Sequence, residues 1–255
     1  AMAAVSSCKH EYSIEGKVEL YGYEGESLYL VTHENNEFIA MDSCSVRHGR
    51  FTMEGRADSA VFAVLCHGFE PVLPMFVERG RISVLIAPSN LNVSGTRLNE
   101  LLYEFLKRKN EIDNHFEDLL QQTHNFANRV NGTASVYEDS LKTVVQEAEE
   151  HISDFISAHY DDPLGPCIFM MISGYPSPSE ITPLIRRILD DAPDSFIRNR
   201  SVSGYISSVG YNGNKDKGMV NTNGGFWGLA VADQEVQPED WLLHSDLPAT
   251  TEDRS

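Results

Sequence analysis

A change of hydrophobic rhythm near Thr96 constrains this chain more than any other feature. Before it, short β-rich runs alternate with turn residues; after it, apolar residues return every three or four positions. The first pattern suits strands with one buried face and the second suits amphipathic helices. The β-rich runs are Ile14 to Leu20, Ser27 to Val31, Phe38 to Met41, Phe51 to Glu54, Ala60 to Cys66, Val72 to Val77, Ile82 to Ile86 and Leu91 to Val93. Their spacing predicts an antiparallel β-sandwich. His48-Gly49 and Arg79-Gly80 each supply glycine where a hairpin needs positive φ, so both are expected to be tight hairpins. Val61-Phe62-Ala63-Val64-Leu65 is apolar throughout, which fits a central strand.

Beyond Thr96, Leu98, Leu101, Leu102, Phe105, Ile112, Phe116, Leu119 and Leu120 mark one amphipathic helix, with Thr96 as its cap and Asn99 or Glu100 nearby. Val136, Leu141, Val144, Val145, Ala148, Ile152, Phe155 and Ile156 mark a second, and Asn131-Gly132 breaks the two. An antiparallel helical hairpin follows. Pro163-Leu164-Gly165-Pro166 is read as an interruption, Cys167 to Ile172 as a short buried segment, and Ile181 to Leu189 and Phe196 to Ile206 as shorter helices. The fold class is therefore α+β: a sandwich over residues 11–96, helices over 97–209, and a tail over 210–255. That tail carries 3 Lys and Arg against 8 Asp and Glu from residue 212 on, and its composition reads as flexible. Phe226, Trp227, Leu229, Trp241, Leu242 and Leu243 offer the alternative that it docks.

Residues 1–10 read as a signal remnant and tether. Ala1-Met2-Ala3-Ala4-Val5-Ser6-Ser7 is apolar and then small, and it meets Cys8 followed by polar Lys9-His10-Glu11. Val5-Ser6-Ser7-Cys8 resembles a bacterial lipobox, whose cysteine sulfur receives diacylglycerol. Lipid attachment is expected at Cys8, since each buried CH₂ adds about 0.8 kcal/mol of membrane affinity. The absence of a charged initiator segment suggests that the sequence begins partway through the signal. The alternative is a cloning scar before an ordinary cysteine. The expected address is the cell envelope, lipid-anchored to a bacterial membrane, the outer one for preference, and facing periplasm or exterior. No apolar run reaches the roughly 20 residues of a spanning helix.

Charge excludes some partners. With 20 Lys and Arg against 38 Asp and Glu, the net charge of −18 opposes phosphate attraction, so no nucleic acid is expected.

Ile14-Glu15-Gly16, Met41-Asp42-Ser43 and the run from Val46 to Gly55 resemble a Bacteroides-type lipoprotein family, domain of unknown function 4369. Gly95-Thr96-Arg97-Leu98-Asn99, the Phe155-Ile156 helix ending in His159-Tyr160-Asp161-Asp162, and Pro163-Leu164-Gly165-Pro166 look like its helical continuation. The likeness covers about residues 11–206 and implies a small β-domain. In many such proteins that domain precedes a thioredoxin-like domain bearing C-x-x-C. This chain has neither the motif nor the length for one, so it reads as a stand-alone form and the redox activity is not carried over.

Candidate chemistry is sparse. Cys44, Cys66 and Cys167 lack metal-ligand spacing and read as buried thiols, with a Cys44 to Cys66 bridge as the alternative. The nine histidines form no H-E-x-x-H, Ser43 and Ser207-Ser208 sit in no nucleophile elbow, and Gly16, Gly22 and Gly25 make no phosphate loop. Asp161-Asp162 and Asp190-Asp191 read as solvated charge. No catalytic residue, metal or cofactor is assigned. Tyr21, Tyr23 and Tyr29, placed on strands, are candidates for a glycan or peptide. The leading expectation is a non-enzymatic envelope lipoprotein that binds an envelope protein, peptide or glycan. Alternatives are an accessory to thiol-disulfide oxidoreductases and a hydrolase with an unrecognised site.

Overall fold

A computed structural model describes residues 11–34, 37–130, 135–174 and 181–211. The residues expected to carry the anchor (Cys8), the helix break (Asn131-Gly132) and nearly all of the acidic tail (from 212 on) lie outside them. The described chain forms two compact units, parting after Tyr103.

The first unit is a sandwich of two four-stranded sheets. Its strands are β1 (Glu11–Val18), β2 (Ser27–Glu34), β3 (Glu37–Ser45), β4 (Arg50–Arg56), β5 (Val61–His67), β6 (Glu70–Val77), β7 (Gly80–Ala87) and β8 (Asn90–Ser94). All eight expected strands are present. The first sheet runs β4-β1-β7-β8 and the second β3-β2-β5-β6. Ile14, Phe51, Ile82, Val84 and Ile86 from one meet Leu28, Leu30, Leu65, Leu73 and Met75 from the other in a single core.

Three details depart from expectation. β1 and β7 pair in parallel, Ile14 opposite Ile82, because the chain leaves the first sheet after β4 and re-enters it at β7. Arg79-Gly80 is consequently no hairpin: it carries the chain from β6 in the second sheet to β7 in the first. His48-Gly49 does form a two-residue turn, closed by reciprocal hydrogen bonds between Arg47 and Arg50, but it too joins strands of different sheets. Glycine next to a turn residue signals positive φ without saying which sheet receives the next strand. The β5–β6 hairpin turns instead at Gly68-Phe69, and β7–β8 at Pro88-Ser89.

Two glycines of β1 and β4 earn their place by contact. Gly16 lies opposite Phe51, and Gly55 opposite Tyr12. A Cβ at Gly16 would overlap the Phe51 ring, and one at Gly55 would collide with Tyr12. Each aromatic ring covers the glycine across from it, which restores the packing that a missing side chain forfeits.

α1 (Arg97–Val130) begins beside the free edge of β6. The fully buried Asn99 side chain accepts from Phe76 N–H at 2.8 Å and donates to Phe76 C=O at 2.8 Å, standing in for a neighbouring strand. Tyr103 donates to Pro74 C=O at 3.0 Å. Edge groups left bare would invite pairing with another chain. Thr96 anchors this turn through its carbonyl, which accepts from Glu100 N–H, and its hydroxyl, which accepts from Asn99; Leu98 N–H goes to Glu78.

In the second unit, the rest of α1 and α2 (Ser135–Ala158) form the expected antiparallel pair. Phe105 stacks on His151 at 4.7 Å, Arg108 pairs with Glu147, and Ile112 packs with Val144 and Ala148. α3 (Leu164–Ile172) starts where an interruption was expected. Pro166 falls in its first turn, where the N–H that proline lacks has no intrahelical partner to lose. α4 (Pro183–Asp191) is capped by Thr182 and has Pro183 at its first position. The segment read as one helix from Phe196 is two, α5 (Asp194–Ile197) and α6 (Arg200–Val209), because Asn199 leaves helical geometry to cap the latter. Phe169 meets Phe196 and Tyr205 edge-on at the centre.

Candidate functional site

β1 ends at Val18, and the connections around that point gather at one end of the sandwich. Val18 N–H bonds Gly49 C=O, Glu19 N–H bonds Ile86 C=O, Val46 exchanges hydrogen bonds with Gly25 and Glu26, and Gly68 N–H reaches Ser27 C=O. Residues 19–26, the corner at 46–49 and the 67–70 turn are thus one assembly.

Among the described residues, the corner holds the non-glycine residue with positive φ, His48. His48 and Gly49 have φ of 53° and 66°, and a Cβ at Gly49 would press on Val18 C=O at 2.9 Å. Their two N–H groups point the same way and converge on the Glu24 carboxylate, His48 N to one oxygen at 2.9 Å and Gly49 N to the other at 3.1 Å. These backbone bonds hold the Glu24 carboxyl below its usual pKa, so the clasp is ionised at neutral pH.

The same connections carry aromatic rings. Tyr21 is fully exposed. Tyr23 stacks on His67, ring centres 4.2 Å apart, and burial pushes its hydroxyl pKa up. Phe69, at the tip of the β5–β6 turn, is 42% exposed, and Leu91 in β8 is also exposed. Glu19, Glu24, Glu26 and Glu70 lie within two or three residues of these rings in sequence, while Arg47 and Arg50 belong to the corner. Such an arrangement offers flat apolar contact with adaptable polar neighbours and positions no nucleophile beside a base.

Of the tyrosines placed on strands from sequence, Tyr21 and Tyr23 are in the β1–β2 connection, which begins two residues earlier than expected. Tyr29 is on β2, opposite Ser43 and Cys66. The sequence reading did not single out Glu24, His67 or Phe69. An aromatic residue beside glycine between two strand-like runs, as in Gly68-Phe69, was the available signal.

Elsewhere, the residues singled out from sequence are not brought together. Cys44, Cys66 and Cys167 are free thiols. Cys44 lies opposite Leu28 and Cys66 opposite Tyr29, consecutive residues of β2, so the two project to opposite faces and form no bridge. Burial pushes the Cys44 and Cys66 thiols up to about 11, and raises Cys167 further. His159 Nδ1 sits 2.8 Å from Asp162 Oδ2, whose other oxygen accepts from Leu164 N–H. That pair fastens the turn between α2 and α3. Asp161 accepts from Ser195, and Asp190 from Tyr211. Asp190 and Asp191 line a shallow hollow with Arg186 and Arg187, the latter paired with Glu149. Among the described residues, no group of three His, Cys, Asp or Glu is arranged to hold a metal, and no helix is long and apolar enough to cross a membrane.

Residues 12–102 match the model of a family described as a domain of unknown function (DUF4369). The match spans all eight strands and the first turns of α1, and it ends one residue short of Tyr103. The matched residues include Asn99, whose side chain closes the β6 edge, and not Tyr103. No curated protein and no solved structure matches the chain.

Proposed function

We propose that this protein is a lipoprotein of the cell envelope, akin to Bacteroides-type lipoproteins, anchored through Cys8 and acting as a non-enzymatic binding module. The aromatic loop end of the DUF4369 sandwich carries the binding part of this reading. It exposes Tyr21 and Phe69 and offers the Tyr23–His67 stack.

The anchor part rests on Val5-Ser6-Ser7-Cys8, which gives small residues before a cysteine and polar ones after it. Cys8 precedes β1 by three positions, and β1 runs toward the loop end. Eight residues of strand, at about 3.3 Å each, separate Glu11 from the loops by roughly 26 Å. Glu11, three positions after Cys8, therefore lies at the end of the sandwich opposite its aromatic surface.

Metabolic labelling with a fatty-acid analogue tests the anchor. The wild type is expected to carry label and to fractionate with membranes, and Cys8→Ala to do neither. Equal labelling of the two proteins overturns the lipoprotein reading.

A further inference from the structure

The loop end has a composition that selects among partners. We infer that Tyr21, Tyr23 and Phe69, interleaved with Glu24, Glu26 and Glu70, form a docking surface for a basic segment of another protein, one presenting lysine or arginine side chains. This rests on the reading of the sandwich as a binding module and names what it binds.

Three observations converge on that partner. The rings are held out where a partner reaches them: Tyr21 stands free beside Gly22, which has φ of 90°, and Phe69 follows Gly68, which has φ of 61°. Tyrosine on a loop that also carries glycine gives large contact area at small entropic cost, as in the binding loops of antibodies. Secondly, the faces of these rings carry partial negative charge and attract cations directly. Thirdly, residues 19–27 and 67–70 contain Glu19, Glu24, Glu26 and Glu70 and no lysine or arginine, although Glu19 pairs with Lys17 and the corner adds Arg47 and Arg50. Glu24 is held in place by His48 N–H and Gly49 N–H, so its charge is fixed beside Tyr23. The net charge of −18 adds long-range attraction for a basic partner and disfavours a second copy of this chain. Phe69 bears no hydroxyl and makes apolar contact only, which suits the stem of a lysine or arginine better than a sugar.

Titration calorimetry on the purified full chain tests this with three probes: a lysine–glycine repeat peptide, a glutamate–glycine peptide of equal length, and maltohexaose. The lysine peptide is expected to bind, more weakly as salt is added. Tyr21→Ala and Phe69→Ala should each weaken it about tenfold, the scale of a buried anchor in an interface. Ser83→Ala, on the outer face of the first sheet, should leave it unchanged. Bulk charge alone would attract the peptide without help from the rings, so unchanged binding in both ring variants overturns the proposal. So does maltohexaose binding in place of the peptide, or equal binding of the two peptides. Cys8 labelling is read independently: labelled protein that ignores the lysine peptide loses this surface and keeps its anchor, while unlabelled protein that binds it loses the anchor alone.

Discussion

The two sheets of the sandwich share a core but differ on their outer faces. In the first, the outward positions are Glu11, Ser13, Glu15 and Lys17 on β1, Arg50, Thr52, Glu54 and Arg56 on β4, and Arg81 and Ser83 on β7. In the second they are Tyr29 and Val31 on β2, Phe62, Val64 and Cys66 on β5, and Pro74 and Phe76 on β6. The inner faces of both are equally apolar. One sheet therefore alternates as a surface sheet does, whereas β5 and the facing part of β6 in the other are apolar on both sides, with Cys66 and Phe76 each only 1% exposed. Two strands of similar length in one domain can thus obey opposite pattern rules. What decides is whether the second face meets water.

The difference has a measurable size. Phe76→Ala should cost about 3–5 kcal/mol in a denaturant titration, as for other buried phenylalanines, whereas Ser83→Ala on the polar face should stay within about 0.5 kcal/mol. Comparable losses at the two positions would erase the distinction between the faces. The edge of the second sheet gives a smaller effect. Asn99→Leu keeps the bulk but leaves Phe76 N–H and C=O without their 2.8 Å partners, at about 2–3 kcal/mol. A neutral outcome would mean that the β6 edge finds other partners.

The smallest effect is in the pH dependence. Cys66 has its thiol raised from 9.0 to about 11 by burial, with the Glu70 charge as a lesser cause. Below pH 9 both folded and unfolded thiols keep their protons and the full contribution is present. As pH rises from 9 through 11 the unfolded thiol ionises first, so stability falls, on the order of 1 kcal/mol. Urea midpoints followed over that range should fall less steeply for Cys66→Ala than for the wild type. Parallel curves would show that the outer face admits water to the thiol.

The same contrast explains what could be read from the residues. Strand positions were legible because each run is bounded by turn residues, and Val61 to Leu65 announced a central strand by its unbroken apolarity. Sheet membership was not. Val77-Glu78-Arg79-Gly80-Arg81-Ile82 reads equally well as a hairpin or as a passage between sheets, since the choice depends on β1, some 68 positions before β7 in register. Pro166 misled because proline ends a helix in its interior and begins one in its first turn. At the loop end, Tyr21 and Tyr23 were visible as tyrosines but were assigned to a strand. The Glu24 clasp joins residues 24 positions apart and leaves no local trace.

The placement of β1 between β4 and β7 bears on how the molecule comes into being. Of the described strands β1 is made first, and it is an interior strand whose parallel neighbour follows 68 residues later, Ile14 awaiting Ile82. At about 5–20 residues per second, that is a wait of roughly 3–14 s. Through this interval Tyr12, Ile14 and Val18 have no finished core to enter. Until β7 is made the first sheet cannot close, and the nascent chain stays open to chaperones and to misplaced strand pairing.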